Sequence, residues 1–137
     1  MTKVICGFSA IGKTYVAETR PRVLDIQSTF EPDGLEQVMT QVSQAYRSNE
    51  YDYILLTPNI KVVSALRNHR IPFVCVYPSI GQSKAYQSRM WDQGKTDKEV
   101  ETLIRDWCSL IADFAEYSQT RIVLKDGEYL SDVLDRI

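Results

Sequence analysis

Eight residues near the start of the chain have the types and spacing to hold a polyphosphate: Gly7, Phe8, Ser9, Ala10, Ile11, Gly12, Lys13 and Thr14 fit G-x-x-x-x-G-K-[ST] in full. The glycines let the backbone turn tightly and approach phosphate oxygens closely. Successive N–H groups then point inward as an anion nest, and the helix that follows adds the positive end of its dipole. Lys13 is placed to bridge terminal phosphates as a compact cation. Thr14 offers a hydroxyl to Mg²⁺, which prefers oxygen ligands and keeps several waters.

Chemistry at such a loop usually needs a carboxylate beside it, to hold the metal's water shell or to orient an acceptor hydroxyl. The apolar run at residues 53–56 ends in Thr57-Pro58 without one, and Asp52 precedes that run, at the wrong end. Asp25 is the better candidate. It follows Val23-Leu24 near the carboxyl end of an expected strand, with Ser28 and Thr29 just beyond. The moving phosphoryl group also needs cations. Lys84, Arg89 and Lys95 lie on or just past a polar helical stretch preceded by Gly81, a candidate hinge. Lys84 and Arg89 point about 140° apart on an ideal helix, so both cannot serve one phosphate. Arg89 is preferred as a lid-type contact. Catalytic candidates are therefore Lys13, Asp25 and Arg89, and metal candidates are Thr14 and Asp25.

These residues need a frame that brings strand ends together. Residues 3–7 (KVICG) read as a buried strand, followed by the loop and a helix from Lys13. Residues 22–26, 51–57, 72–77 and 120–124 read as four more strands. A break is expected at Pro32 to Gly34. Leu35, Val38, Met39, Val42 and Tyr46 then recur at helical spacing, so 34–48 is expected to be an amphipathic helix. Further helices are expected at 61–69 and 82–93. Thr96 and Glu99 look like a capping box opening one long helix, with Val100, Leu103, Ile104, Trp107, Leu110, Ile111 and Phe114 on one face. Tyr129, Leu130, Val133 and Leu134 suggest a short closing helix. Strands alternating with helices predict an α/β fold with a parallel sheet covered on both faces.

The 137 residues favour one domain, 1–137, and 44% hydrophobic content can fill an ordinary core. A formal net charge of -2 gives no general attraction to nucleic acid or to an anionic membrane. No apolar run is long enough to span a bilayer and no secretory pattern opens the chain, so the expected location is the cytoplasm. The cysteines, Cys6, Cys75 and Cys108, match no metal spacing and read as buried reduced thiols. Trp107 reads as core, His69 as a helix-end surface residue, and Trp91 as a residue packed under a lid or touching a base. Tyr46, Tyr51 and Tyr53 read as packing residues.

The loop at 7–14, the short strand with Asp25, and Phe73-Val74-Cys75-Val76-Tyr77-Pro78 followed by a Lys/Arg helix resemble a small P-loop kinase. More closely, the chain resembles compact adenylate-kinase-like proteins of bacteriophages and their bacterial hosts; the run from Ile122 to Leu130 (IVLKDGEYL) is similar to theirs. The resemblance implies a three-layer P-loop NTPase fold with a five-stranded parallel sheet in the order 2-3-1-4-5. It implies ATP and Mg²⁺ at the strand carboxyl ends and an acceptor over the second strand, at Asp25 and the 28–30 segment. It also implies that the loop after the fifth strand touches the base through Lys125, Asp126 and Gly127. The chain lacks the D-R-[YFHS] motif of thymidylate and deoxynucleoside kinases, and has one clear lid arginine where monophosphate kinases carry several; Arg67 and Arg70 are further possible cations. The leading expectation is ATP-dependent phosphoryl transfer to a nucleoside or deoxynucleoside monophosphate. The alternatives are a nucleotide-binding regulatory module with little turnover and a polynucleotide 5′-kinase.

Overall fold

The structure, a computed structural model, describes residues 1–26 and 34–137. Five parallel strands form one sheet in the order β2-β3-β1-β4-β5: β1 (Lys3–Gly7), β2 (Val23–Ile26), β3 (Tyr53–Leu56), β4 (Val74–Pro78) and β5 (Arg121–Leu124). Successive residues of a strand point to opposite faces. Val4 to Gly7 of β1 are buried without alternation, as are Cys75 to Pro78 of β4, so both faces of the sheet centre are covered. That is why these strands read as unbroken apolar runs. The expected order and parallel sense both hold.

The helices are α1 (Lys13–Thr19), α2 (Gly34–Ser48), α3 (Ile60–Asn68), α4 (Ser83–Asp92), α5 (Asp97–Arg105), α6 (Trp107–Tyr117) and α7 (Leu130–Val133). Short 3-10 turns precede α4 at Ile80–Gln82 and follow α7 at Leu134–Arg136. α2 has the expected bounds and buries Val38, Met39, Val42 and Ala45. The expected break at Pro32 and the Ser28, Thr29 and Phe30 segment fall on residues 27–33, outside the described residues. No helix among the described residues is long and apolar enough to cross a membrane.

The stretch after Thr96 departs from expectation. It forms two helices, broken at Asp106. The indole N–H of Trp107 donates to the Ile80 carbonyl at 2.7 Å, and its ring meets Phe8 at 5.3 Å and Tyr86 at 5.5 Å. Those contacts fix the start of α6 over β4, while α5 turns away to pack on α4. The Thr96 hydroxyl caps α5 through the Glu99 N–H at 3.2 Å, as expected. The second strand starts one residue late, because Arg22 sits at φ 60 in a turn and accepts from the Asp52 N–H at 2.7 Å.

Candidate active site

Because the strands are parallel, β1, β2, β4 and β5 all end on one side of the sheet, and the 7–14 loop leaves β1 there. Its entry is tied to β4: the Phe8 N–H donates to the Val76 carbonyl at 2.9 Å. The Phe8 ring is buried between Trp107 and Phe114, at 5.3 and 5.2 Å, so the loop rests on an aromatic floor. Ala10 (φ 64) and Gly12 (φ 99) take left-handed conformations that fold the backbone back on itself. Among the described residues, the backbone bonds made outside the helices and strands include none from the N–H groups of residues 9 to 14. A curled backbone with free N–H groups at the start of a helix is an anion-binding concavity. At Gly7 an added Cβ would lie 2.7 Å from Ile11 Cδ1 and 3.1 Å from Lys13 Cδ, so a side chain there would displace Ile11 and crowd the Lys13 stem.

Lys13 folds over this concavity. Its Nζ donates to the carbonyls of Gly7 and Phe8, at 3.0 Å each. Burial lowers its ammonium to about 8, opposed by the carboxylate of Asp25. Asp25, at the third position of β2, and Thr14, on the first turn of α1, line the same cavity as Lys13. The sequence-derived trio thus converges. Asp52 lies at the amino end of β3, paired with Arg22 at 3.2 Å.

Arg89 reaches the loop from α4. Its guanidinium donates to the Ala10 carbonyl at 3.2 Å and the Glu128 carbonyl at 3.1 Å. It also lies 3.8 Å from the Tyr129 ring centroid and 4.4 Å from that of Tyr86. Arg89, expected as a lid-type contact, is held on two sides by carbonyls and on two by rings, as a clamp. Tyr86 is fully buried, and burial raises its phenol to about 12, so it presents a neutral ring to the cation.

The turn after β5 meets the loop beyond the expected residues. Lys125, Asp126 and Gly127 are exposed and outside the cavity, because the Glu128 carboxylate folds back to accept the Lys125 N–H at 2.7 Å. Contact with the loop comes through the Leu130 N–H, which donates to the Ile11 carbonyl at 2.8 Å, and through the Tyr129 ring over Gly12. Tyr129, Ser131 and Asp132 line the cavity in their place.

The cavity measures about 1150 Å³. One wall is the loop, with Ser9, Ala10, Gly12, Lys13 and Thr14. The opposite wall is built from the end of α4, α5 and the start of α6, and sequence reasoning missed nearly all of it. Met90, Leu103 and Leu110 form its apolar part; Gln93, Thr102 and Asp106 are polar; Lys95 and Glu99 pair at 4.0 Å. Helical periodicity places Leu103 and Leu110 on one apolar face, and both pack partly buried against the core, but no local pattern marks a wall assembled across a helix break.

Other candidates lie elsewhere. Lys84 is exposed and outside the cavity. Arg67 bonds to the Tyr117 carbonyl, and Arg70 is an exposed residue before β4, so both sit at the amino end of the sheet. Trp91 is 48% exposed and faces α5 away from the loop. Trp107 is core and His69 exposed, as expected, and Tyr46, Tyr51 and Tyr53 pack against the core. Cys6 and Cys75 are buried register partners, but Cys108 is exposed on α6, contrary to expectation, as that helix buries Trp107, Ile111 and Phe114 instead.

No family model and no curated protein sequence matches the chain. Among solved structures, that of the Deinococcus radiodurans tunicamycin resistance protein matches with a TM-score of 0.68, at 16% identity, covering 99% of this chain and 93% of that one. At that identity the likeness is one of fold. Which side chains do chemistry has to be argued from this chain's own cavity.

Proposed function

We propose that the chain is a P-loop phosphotransferase of the three-layer NTPase class, which binds ATP at the 7–14 loop and transfers its terminal phosphoryl group to a small acceptor in the same cavity. The observation that carries this reading is the convergence of Lys13, Thr14 and Asp25 on one cavity walled by the curled 7–14 loop. The N–H groups of residues 9 to 14 and the Lys13 ammonium hold the β- and γ-phosphates. Asp25 orients the acceptor, and Arg89 positions the loop rather than reaching for phosphate. A protein of this kind works in the cytoplasm, where ATP is available.

Mg²⁺ fits the donor set in a limited way. Thr14 supplies a hydroxyl and Asp25 a carboxylate, both hard oxygen ligands. Among the described residues, no three His, Cys, Asp or Glu side chains group together. Bound there, Mg²⁺ would neutralise phosphate charge.

The resemblance to nucleotide kinases implies a nucleoside or deoxynucleoside monophosphate as acceptor. A second reading, a nucleotide-binding module with little turnover, draws on two observations: Arg89 is engaged in its clamp, and β3 ends without a carboxylate. Isothermal titration with a nonhydrolysable ATP analogue and Mg²⁺ tests the common step. Wild type should bind, and Lys13→Ala should bind at least about tenfold more weakly with its fold intact. No binding by folded wild type would overturn both readings. Binding without transfer to any acceptor would favour the module.

A further inference from the structure

We propose that the acceptor is an uncharged or cationic hydroxyl compound with an apolar part, and not a phosphate ester. This rests on the phosphotransferase reading above. The cavity is lined by four carboxylates, Asp25, Glu99, Asp106 and Asp132, against two ammonium groups, Lys13 and Lys95. Lys13 lies on the loop and belongs to the donor phosphates. Lys95 is already paired with Glu99 at 4.0 Å. Arg105, outside the cavity, pairs with Asp106 at 3.2 Å, which moderates that carboxylate without turning a cation toward the ligand.

A monophosphate acceptor brings about two negative charges at neutral pH and is held elsewhere by arginine forks or clustered lysines. Among the described residues, nothing of that kind faces the acceptor wall. Arg89 is enclosed by Tyr86, Tyr129 and two carbonyls. The sequence of the 27–33 segment, which follows Asp25, contains neither Lys nor Arg. A phosphate bound against this wall would meet carboxylates in a site partly shielded from water, where like charges repel more strongly.

The same wall suits another kind of molecule. Met90, Leu103 and Leu110 present an apolar surface. Thr102, Gln93 and Ser131 add neutral hydrogen-bonding groups, as small-molecule sites commonly do. The volume of about 1150 Å³ exceeds what one ligand usually fills, about 300–1,000 Å³, so donor and acceptor can sit together. In the transfer, the acceptor hydroxyl oxygen, oriented by Asp25, bonds to the γ-phosphorus and its proton passes to an oxygen of the transferred phosphoryl group. The bond from the γ-phosphorus to the β,γ-bridging oxygen breaks, and ADP leaves with that electron pair.

The test has two arms on the full chain. In the first, titration of the nonhydrolysable ATP analogue with Mg²⁺ establishes the donor site; its failure would defeat the phosphotransferase reading itself. In the second, transfer of labelled γ-phosphate is measured to matched alcohols and their phosphate esters: adenosine and AMP, thymidine and dTMP, with 2-phenylethanol and phenylglycinol as apolar neutral and cationic members. Transfer to at least one uncharged or cationic alcohol is expected, with kcat/KM at least about tenfold above that of any phosphate ester. Asp106→Lys, which adds a cation to the wall, should lower that ratio at least about tenfold while circular dichroism stays unchanged. Donor binding with preferential transfer to AMP or dTMP overturns the proposal and leaves the donor site standing. Donor binding with no alcohol labelled, or an unmoved ratio in folded Asp106→Lys, also overturns it.

Discussion

Raising the pH should weaken nucleotide binding through one side chain. Burial lowers the Lys13 ammonium to about 8, despite the opposing pull of Asp25. A bound triphosphate is strongly anionic and holds that proton to higher pH. Between the two pKa values, binding must take up a proton, so affinity falls as pH rises, by up to about tenfold per unit. From about pH 7 to about pH 9, the protonated fraction of the free protein drops from about nine-tenths to about one-tenth, a loss in binding of about 1.4 kcal/mol. Titration calorimetry with the nonhydrolysable ATP analogue across that range, in buffers of different ionisation enthalpy, reads both the affinity and the proton uptake. Lys13→Arg keeps the charge but does not titrate there, so its affinity should stay level. A level wild-type profile, or an equally steep fall in Lys13→Arg, would refute the reasoning. The free protein carries the opposite dependence. Its Lys13 pKa lies below the unfolded value, so the unfolded chain binds the extra proton between about 8 and about 10.4, and this group's contribution to stability rises with pH across that window.

Three further substitutions probe what holds the loop. Gly12→Ala puts a side chain at φ 99 and a Cβ 3.3 Å from Tyr129 Cδ1; it should cost about 1–2 kcal/mol in urea unfolding, and an unchanged midpoint would contradict the left-handed turn. Phe8→Ala empties a buried aromatic position beneath the loop and should destabilise by about 3–5 kcal/mol by the same measurement. Arg89→Met removes the donor to the Ala10 and Glu128 carbonyls and should cost about 2 kcal/mol of stability. It should also weaken nucleotide binding severalfold, and an unaltered affinity would mean that the loop holds its shape without the clamp.

What the sequence made legible depended on whether the signal was local. β1 and α2 emerged with their bounds because an unbroken apolar run and a helical stripe are each complete within one segment. The glycine loop and Lys13 carry their spacing within eight residues. Asp25 could be placed because parallel strands share a carboxyl end. The break at Asp106 was hidden, since aspartate is tolerated in helices and the apolar stripe runs on through Trp107; the break comes from contacts with Ile80, Phe8 and Tyr86, distant in the chain. The clamp was hidden for the same reason. Arg89 meets a carbonyl 79 positions away and another 39 positions away. A lone arginine on a polar helix gives no sign of whether carbonyls or solvent will receive it.

The clamp bears on how much charge the site can manage. An arginine enclosed by two rings and two carbonyls does not swing toward a phosphoryl group without breaking all four contacts. In the proposed transfer, stabilisation of the moving group would fall to the loop N–H groups, the α1 dipole and Lys13, whose Nζ already lies over the loop. Donors fixed in advance need no reorganisation as charge develops, so a few can suffice. Their number sets a limit, however. A triphosphate already saturates one loop and one lysine, and a second phosphate would enter a cavity whose remaining charge is mostly carboxylate. An alcohol, the acceptor proposed above, would add no charge of its own, and Asp25 is placed to orient its hydroxyl. On the proposed reading, the shortage of cations and the surplus of carboxylates would suit a site that activates a hydroxyl better than one that holds two anions at once.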